Sequence, residues 1–204
     1  MKLILASASP RRAEILRTAG IRFEVMVTAE DETRRPGETG QALVLRLAEA
    51  KARAAVAGLK SPRQPTIVIG ADTVVELDGE IFGKPGSARV AGEMLRKLSG
   101  RTHRVLTGLA VIGLPEGETR VELETTEVHF ASLGAEEIEQ YAATDEPLDK
   151  AGAYAIQGIA GRFVERIEGC YFNVVGLPLA RLYRILKELG WRPSVQDQKI
   201  EGDP

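Results

Sequence analysis

The stretch Thr66-Ile67-Val68-Ile69-Gly70 is a continuous apolar run, and it constrains the fold more than any other part of the chain. Short runs of this kind, with no alternation, belong to strands buried on both faces, inside a sheet rather than on its solvated side. Leu3-Ile4-Leu5-Ala6 is a second such run, so two buried strands are expected early. Between them the pattern turns helical. Ser9 caps a helix from Pro10 to Ala19, Pro10 takes the first helical position and Gly20 stops it. Ile21 to Val27 reads as a strand. A second helix from Gly40 to Ala57 has Leu43, Leu47, Ala50 and Ala54 as its apolar stripe and an outward Glu49–Arg53 pair. Ser61 to Pro65 is a break.

Val74 to Leu77 and Glu80 to Phe82 flank Asp78-Gly79, a hairpin signal. Ser87 caps a third helix that ends at Gly100. Arg104 to Leu114 and Arg120 to Phe130 are long β stretches joined through Pro115-Glu116-Gly117. Ala135 to Ala143 is a short helix, Asp149 to Gly161 a loop rich in Gly and Ala, Arg162 to Ile167 a strand and Pro178 to Leu189 an amphipathic helix. Early alternation of strand and helix, with hairpins in the middle, argues for an α/β or α+β fold with a mixed sheet.

Composition removes several classes of function. The 27 basic and 29 acidic residues leave a net charge of −2, which gives no support for a nucleic-acid partner. One cysteine, Cys170, rules out an internal disulfide and fits a reducing, cytoplasmic setting. The apolar part of MKLILASASPRR is too short for a signal peptide, and no run is long enough to span a membrane.

The charged residues occupy informative places. Arg11 and Arg12 fall in the first turn of a helix, where the backbone field favours anions and repels cations. Two guanidinium forks there make sense around a multiply charged anion, with Ser7 adding a hydroxyl. An isolated Ser-Pro-Arg-Arg also fits two arginines splayed into solvent. If the anion reading holds, both heads face Asp72. Asp72 follows the apolar run directly and is expected at the carboxyl end of a strand, where α/β sheets bind ligands; a turn-closing Asp is the alternative. Lys84 sits in the stiff turn Gly83-Lys84-Pro85, which lacks the spacing and hydroxyl of a phosphate-binding P-loop. Lys51 borders the buried stripe of its helix and either snorkels or meets an anion. Glu30-Asp31-Glu32 is an acidic cluster in a long polar loop, a metal site only with a partner such as Asp72. Gln157, in DKAGAYAIQG, offers both a donor and an acceptor to a base edge.

Taken together, LASASPRR, AKA around Lys51, GADTVV, GKP, DKAGAYAIQG and VVGLPL resemble the Maf nucleoside triphosphate pyrophosphatases over nearly the whole chain. The resemblance implies an elongated mixed sheet flanked by helices, with two lobes around a central cleft, as in Maf and ITPase-like proteins. It implies a single domain over residues 1–190 and a polar tail over 191–204. It implies hydrolysis of dTTP and UTP to the monophosphate and pyrophosphate, with a 7-methyl-GTP enzyme or a nucleotide-binding regulator of cell division as alternatives. Asp72 would be the general base; Ser7, Arg11, Arg12, Lys51 and Lys84 would hold the triphosphate. Arg11, Thr73 and Gln157 would set specificity. Glu32 and Asp72 would bind a divalent cation, Mg2+ or Mn2+. The resemblance is also compatible with a homodimer.

Overall fold

The computed structural model describes residues 1–59 and 64–193, so most of the expected break at 61–65 and most of the tail after Trp191 lie outside the described residues. Strands β1 (Lys2–Ala6), β2 (Glu24–Val25), β3 (Thr66–Leu77), β4 (Glu80–Phe82), β5 (Thr102–Leu114), β6 (Glu118–Phe130) and β7 (Val164–Glu168) form one sheet. Its order is β2-β1-β3-β5-β6-β7, with β4 also paired to β3. The β1 pairs with β2 and β3 are parallel and all others antiparallel, which makes the sheet mixed, as the alternation predicted. No described helix is long and apolar enough to cross a membrane.

Helix α2 (Gly40–Gly58) covers one face of this sheet. Its buried line runs through Leu43, Val44, Leu47, Ala48, Ala52 and Ala55, so Ala50 and Ala54, expected on the stripe, are only half-buried. The reason is close contact: Ala48 and Ala52 lie against Gly70 of β3, and Val44 lies against Gly108 of β5. Helices α1 (Pro10–Thr18), α3 (Ala88–Leu98), α4 (Ala135–Ala142), α5 (Tyr171–Val175) and α6 (Leu179–Glu188) complete the helical set. On the face away from α2, two core clusters follow one another along the sheet. One joins α1 and α6 to Ile67, Ile69 and Ala71; the other joins α3 and α4 to Val75 and Leu77. Ile156 touches both clusters, and Thr73 lies between them in sequence.

Three expectations need correction. The strand expected over Ile21–Val27 shrinks to Glu24–Val25, because only those two residues pair with β1 while Ile21 packs into the core. The strand expected to end at Gly70 continues to Leu77, so Asp72 sits inside a long strand and not at its end. The loop expected over Asp149–Gly161 is built from tight turns at Glu146–Asp149, Ala151–Ala153 and Ile159–Phe163, and it buries Ala153, Tyr154 and Ala160. Gly152 makes this possible: its φ is 70°, and a Cβ there would meet Val75 Cγ2 at 2.8 Å. Helix α5 had no periodic signal, being only five residues long.

Candidate active site

The site forms where β3 lacks a neighbour on one edge. β1 pairs with residues 66–70 and β4 with residues 75–77, which leaves Ala71 to Val74 uncovered there. On the other edge β5 pairs continuously from Thr66 to Glu76 and holds this segment straight. Asp72 is therefore just past the carboxyl end of β1, its parallel neighbour. The rule that ligands bind at strand ends is satisfied by β1 rather than by β3. Successive side chains alternate, so Asp72 faces α2 and Thr73 faces the opposite layer.

Gly70 and Gly108 allow α2 to approach the sheet directly beside Asp72, which is the register partner of Gly108. That approach brings Lys51 Nζ to 2.6 Å from Asp72 Oδ1 and 2.6 Å from Glu32 Oε1. The bond from Lys51 lowers the Glu32 pKa below the usual carboxylate range against the opposing effect of partial burial, with Lys84 and Arg12 adding to it. Two carboxylates thus converge on one cation at the cleft. Hard oxygen donors of this kind suit Mg2+ or Mn2+, which bind through one or two carboxylates and complete their shells with water and phosphate.

On the other side, Ser9 caps α1 by accepting from the Arg12 amide, with Pro10 at the first position, as the sequence indicated. The Arg12 head turns inward, and the residue as a whole is only 8% exposed. It donates from Nε to the Gly176 carbonyl at 2.7 Å, from Nη1 to Ser7 Oγ at 3.0 Å and from Nη2 to Thr73 Oγ1 at 3.0 Å. All three acceptors are neutral. Burial therefore lowers the Arg12 pKa, only partly opposed by the nearby Asp72 charge, and Arg11 lowers it further. Thr73 Oγ1 also bonds Thr107 Oγ1 at 2.9 Å, so the Arg12 fork is anchored to the middle of the sheet. Arg11 reaches across to Asp149 Oδ2 at 3.4 Å, and Asp149 is also paired with Lys150.

These elements line one cleft of about 620 Å3. Ser7, Arg11, Arg12, Glu32, Lys51, Asp72, Thr73, Lys84 and Gln157 all lie on its wall; the Arg12 head is turned toward Ser7, Thr73 and Gly176 and the Arg11 head toward Asp149, all of which also line it. The turn bearing Lys84 and the segment bearing Gln157 are tied by backbone bonds from Gly86 to the Leu148 carbonyl (3.4 Å) and from Gly152 to the Gly83 carbonyl (3.2 Å). Sequence reasoning did not single out Arg34, Asp149 or Lys150, which also line the cleft. Their signal was membership of the long polar loop and of the DKAG motif. The lining holds Arg11, Arg12, Arg34, Lys51, Lys84 and Lys150 against Glu32, Asp72 and Asp149, an excess of three positive charges in a chain of net charge −2. Glu127, His129 and Glu168 bring ligand atoms within 4.8 Å of one another on β6 and β7, but none lines the cleft and Arg166 already pairs with Glu168 at 2.6 Å.

Fold and site define an α/β protein with a mixed sheet and a cation-rich cleft at a gap in its central strand. A family model described as "Maf-like protein" matches residues 2–189, and the chain belongs to the Maf family. It is 48% identical over 190 residues to a Pelotomaculum thermopropionicum protein named dTTP/UTP pyrophosphatase, covering 93% of this chain and 97% of that one. An Escherichia coli protein of the same name is 50% identical over 185 residues, covering 90% and 91%. Among solved structures, the Staphylococcus aureus Ham1 protein aligns with 92% of this chain and 99% of its own, at 17% identity and a TM-score of 0.49.

Proposed function

We propose that this chain hydrolyses dTTP and UTP to the monophosphate and pyrophosphate, acting on the cytoplasmic nucleotide pool. The observation that carries this is Arg12: a buried guanidinium whose bonds go to neutral oxygens, in a cleft with excess positive charge. A buried cation bonded to no carboxylate among the described residues, and only partly offset by the nearby Asp72 charge, is favoured when an anion completes the site, and guanidinium forks match phosphate oxygens in pairs.

In this reading Arg11, Arg12, Ser7, Lys51 and Lys84 hold the triphosphate along the α1 entry and the Lys84 turn. Asp72 orients a water and takes its proton through Oδ2, since Lys51 holds Oδ1. The water oxygen bonds to the α-phosphorus, the bond to the bridging oxygen breaks, and pyrophosphate leaves with its charge met by the lysines and arginines. Glu32 and Asp72 would hold a divalent cation, which when bound supplies charge neutralisation at the phosphate oxygens. Gln157, with Thr73 and Arg11 on the same wall, selects a pyrimidine edge.

Purified protein is assayed against a panel of nucleoside triphosphates, including 7-methyl-GTP, with Mg2+ or Mn2+ and then with EDTA. The expected outcome is dTMP and UMP with pyrophosphate, abolished by EDTA. Asp72→Asn should lose turnover by at least ~100-fold, in the range of a lost general base, while still binding dTTP. Absence of monophosphate across the panel overturns the enzyme reading, and a near-normal rate in Asp72→Asn overturns the role of Asp72.

A further inference from the structure

A carboxylate outside the set named above bonds the segment bearing Gln157. Glu146 opens the tight turn after α4, and its side chain points back into the chain that follows. Oε2 accepts the Ile159 amide at 2.9 Å, and Oε1 accepts the Ala160 amide at 3.2 Å and the Tyr141 hydroxyl at 2.9 Å. Its backbone carbonyl accepts Lys150 Nζ at 3.1 Å. The carboxylate therefore fixes the Ile159–Ala160 end of the stretch that begins at Lys150, with Gln157 two positions before the first bonded amide.

Gly158 completes the arrangement. A Cβ at this position would lie 2.2 Å from Glu146 Oε2 and 2.4 Å from its Cδ, so the carboxylate enters only because residue 158 has no side chain. Burial by itself raises the Glu146 pKa; the Ile159 and Ala160 amides, the Tyr141 hydroxyl and the Lys150 charge outweigh it and leave the pKa below the usual carboxylate range. The group is ionised at neutral pH and accepts strong, charge-assisted bonds.

We propose that Glu146 is a positioning residue for base recognition: its carboxylate holds the Gln157 segment in the binding geometry and leaves the triphosphate grip untouched. This rests on the reading that the cleft selects a pyrimidine nucleotide. Among the described residues the Glu146 carboxylate bonds only Tyr141, Ile159 and Ala160 and none of Ser7, Arg11, Arg12, Lys51 and Lys84, and the Lys84 turn is tied to the neighbouring chain by separate backbone bonds from Gly86 and to Gly83, so base selectivity and phosphate affinity are separable quantities.

The test uses two variants, Glu146→Gln and Gly158→Ala. In Glu146→Gln an amide group faces a backbone N–H where an oxygen accepted it. In Gly158→Ala the carboxylate is intact but displaced. Affinities are measured by calorimetry for the α,β-methylene analogues of dTTP and ATP and for inorganic tripolyphosphate, so no turnover is needed. Both variants should bind the dTTP analogue about tenfold more weakly, the loss expected when the competent segment falls to about a tenth of the population, with tripolyphosphate affinity held within about twofold. The preference for the dTTP analogue over the ATP analogue should fall with it. Parallel weakening of tripolyphosphate, or an undiminished preference in both variants, overturns the role of Glu146. If wild-type protein binds tripolyphosphate but shows no preference between the analogues, the pyrimidine reading itself fails and takes this inference with it.

Discussion

Substituting Gly70 by Ala should damage catalysis without altering any residue that touches substrate. The new methyl group would lie 2.2 Å from the Ala48 carbonyl oxygen, 2.9 Å from the Ala52 nitrogen and 3.0 Å from the Ala52 Cβ. Two of these are backbone atoms of α2, so no side chain can swing aside. An ordinary carbon–oxygen contact is about 3.3 Å, so the helix must lift by about 1 Å. Lys51 lies between Ala48 and Ala52 and is carried with them. Asp72 stays where β5 holds it, and the 2.6 Å bond between them stretches beyond hydrogen-bonding range unless the lysine stem extends. Overpacking of this kind costs about 1–3 kcal/mol, and at about 2–4 °C per kcal/mol for a chain of this size the melting temperature should fall by roughly 2–12 °C. A catalytic group displaced by about 1 Å lowers the rate on the order of 100-fold. The loss should appear in kcat and, because Lys51 also holds the triphosphate, as a higher KM, while Arg12 and Ser7 in the opposite layer keep their part of the grip. Gly70 does not adopt a left-handed backbone, so the contact alone is responsible. Calorimetric melting and initial rates on dTTP with metal measure both effects. A variant that melts lower but keeps wild-type kcat would refute the link between helix approach and Lys51 placement; unchanged melting would refute the close contact.

Two other perturbations separate charge from geometry. Arg12→Lys keeps the charge but cannot reach Gly176, Ser7 and Thr73 with one planar fork, so tripolyphosphate affinity should fall ~10- to 100-fold, the worth of one charge-assisted bond; unaltered affinity in calorimetry would show that the fork serves structure alone. His103 is buried beside Phe130 and Tyr154, and burial pushes its pKa down to about 4, with His129 adding slightly. Between pH 6.5 and about 4 the unfolded chain therefore binds a proton the folded one refuses. The His103 contribution is complete above pH 6.5 and declines as pH falls through this window, by at most about 1.4 kcal/mol per unit. Urea unfolding at pH 7 and pH 4.5 should show a smaller drop in His103→Gln than in wild type, and equal drops would contradict a buried neutral imidazole.

What the sequence disclosed depended on the range of the interactions involved. The entry of α1 was readable because a cap, a proline and the turn they start are contained in residues 7–12. The inward turn of Lys51 was readable from its place beside the apolar stripe. The position of Asp72 was misjudged because the strand end that matters belongs to β1, some 70 residues earlier in the chain. The α2 stripe was misplaced because Gly70 and Gly108, not periodicity, decide which alanines touch the sheet. The order in the Lys150–Ala160 segment was invisible for the same reason. Its small residues have no period, and what fixes them is the Glu146 carboxylate and a contact with Val75.

The gap in β3 explains why the charges of one site come from two layers of the protein. Inside a fully paired sheet, a residue on one face cannot cooperate with its neighbour on the other, because the sheet separates them. Along Ala71 to Val74 one edge is open, so Asp72 from the α2 side and Thr73 from the α1 side border the same space. The α2 side contributes Lys51 and, through it, Glu32: the carboxylates suited to a cation and a water. The α1 side contributes Ser7, the helix entry and the Arg12 fork: donors suited to phosphate. A general base and a metal need negative charge, while a triphosphate needs positive charge, and groups of opposite sign in one undivided pocket would neutralise each other. Here Lys51 does hold Asp72 and Glu32 at 2.6 Å, but Arg12 is kept from both carboxylates by its bonds to Thr73, Ser7 and Gly176. Strand alternation keeps the two sets of groups apart, and the missing edge partner lets one ligand reach both.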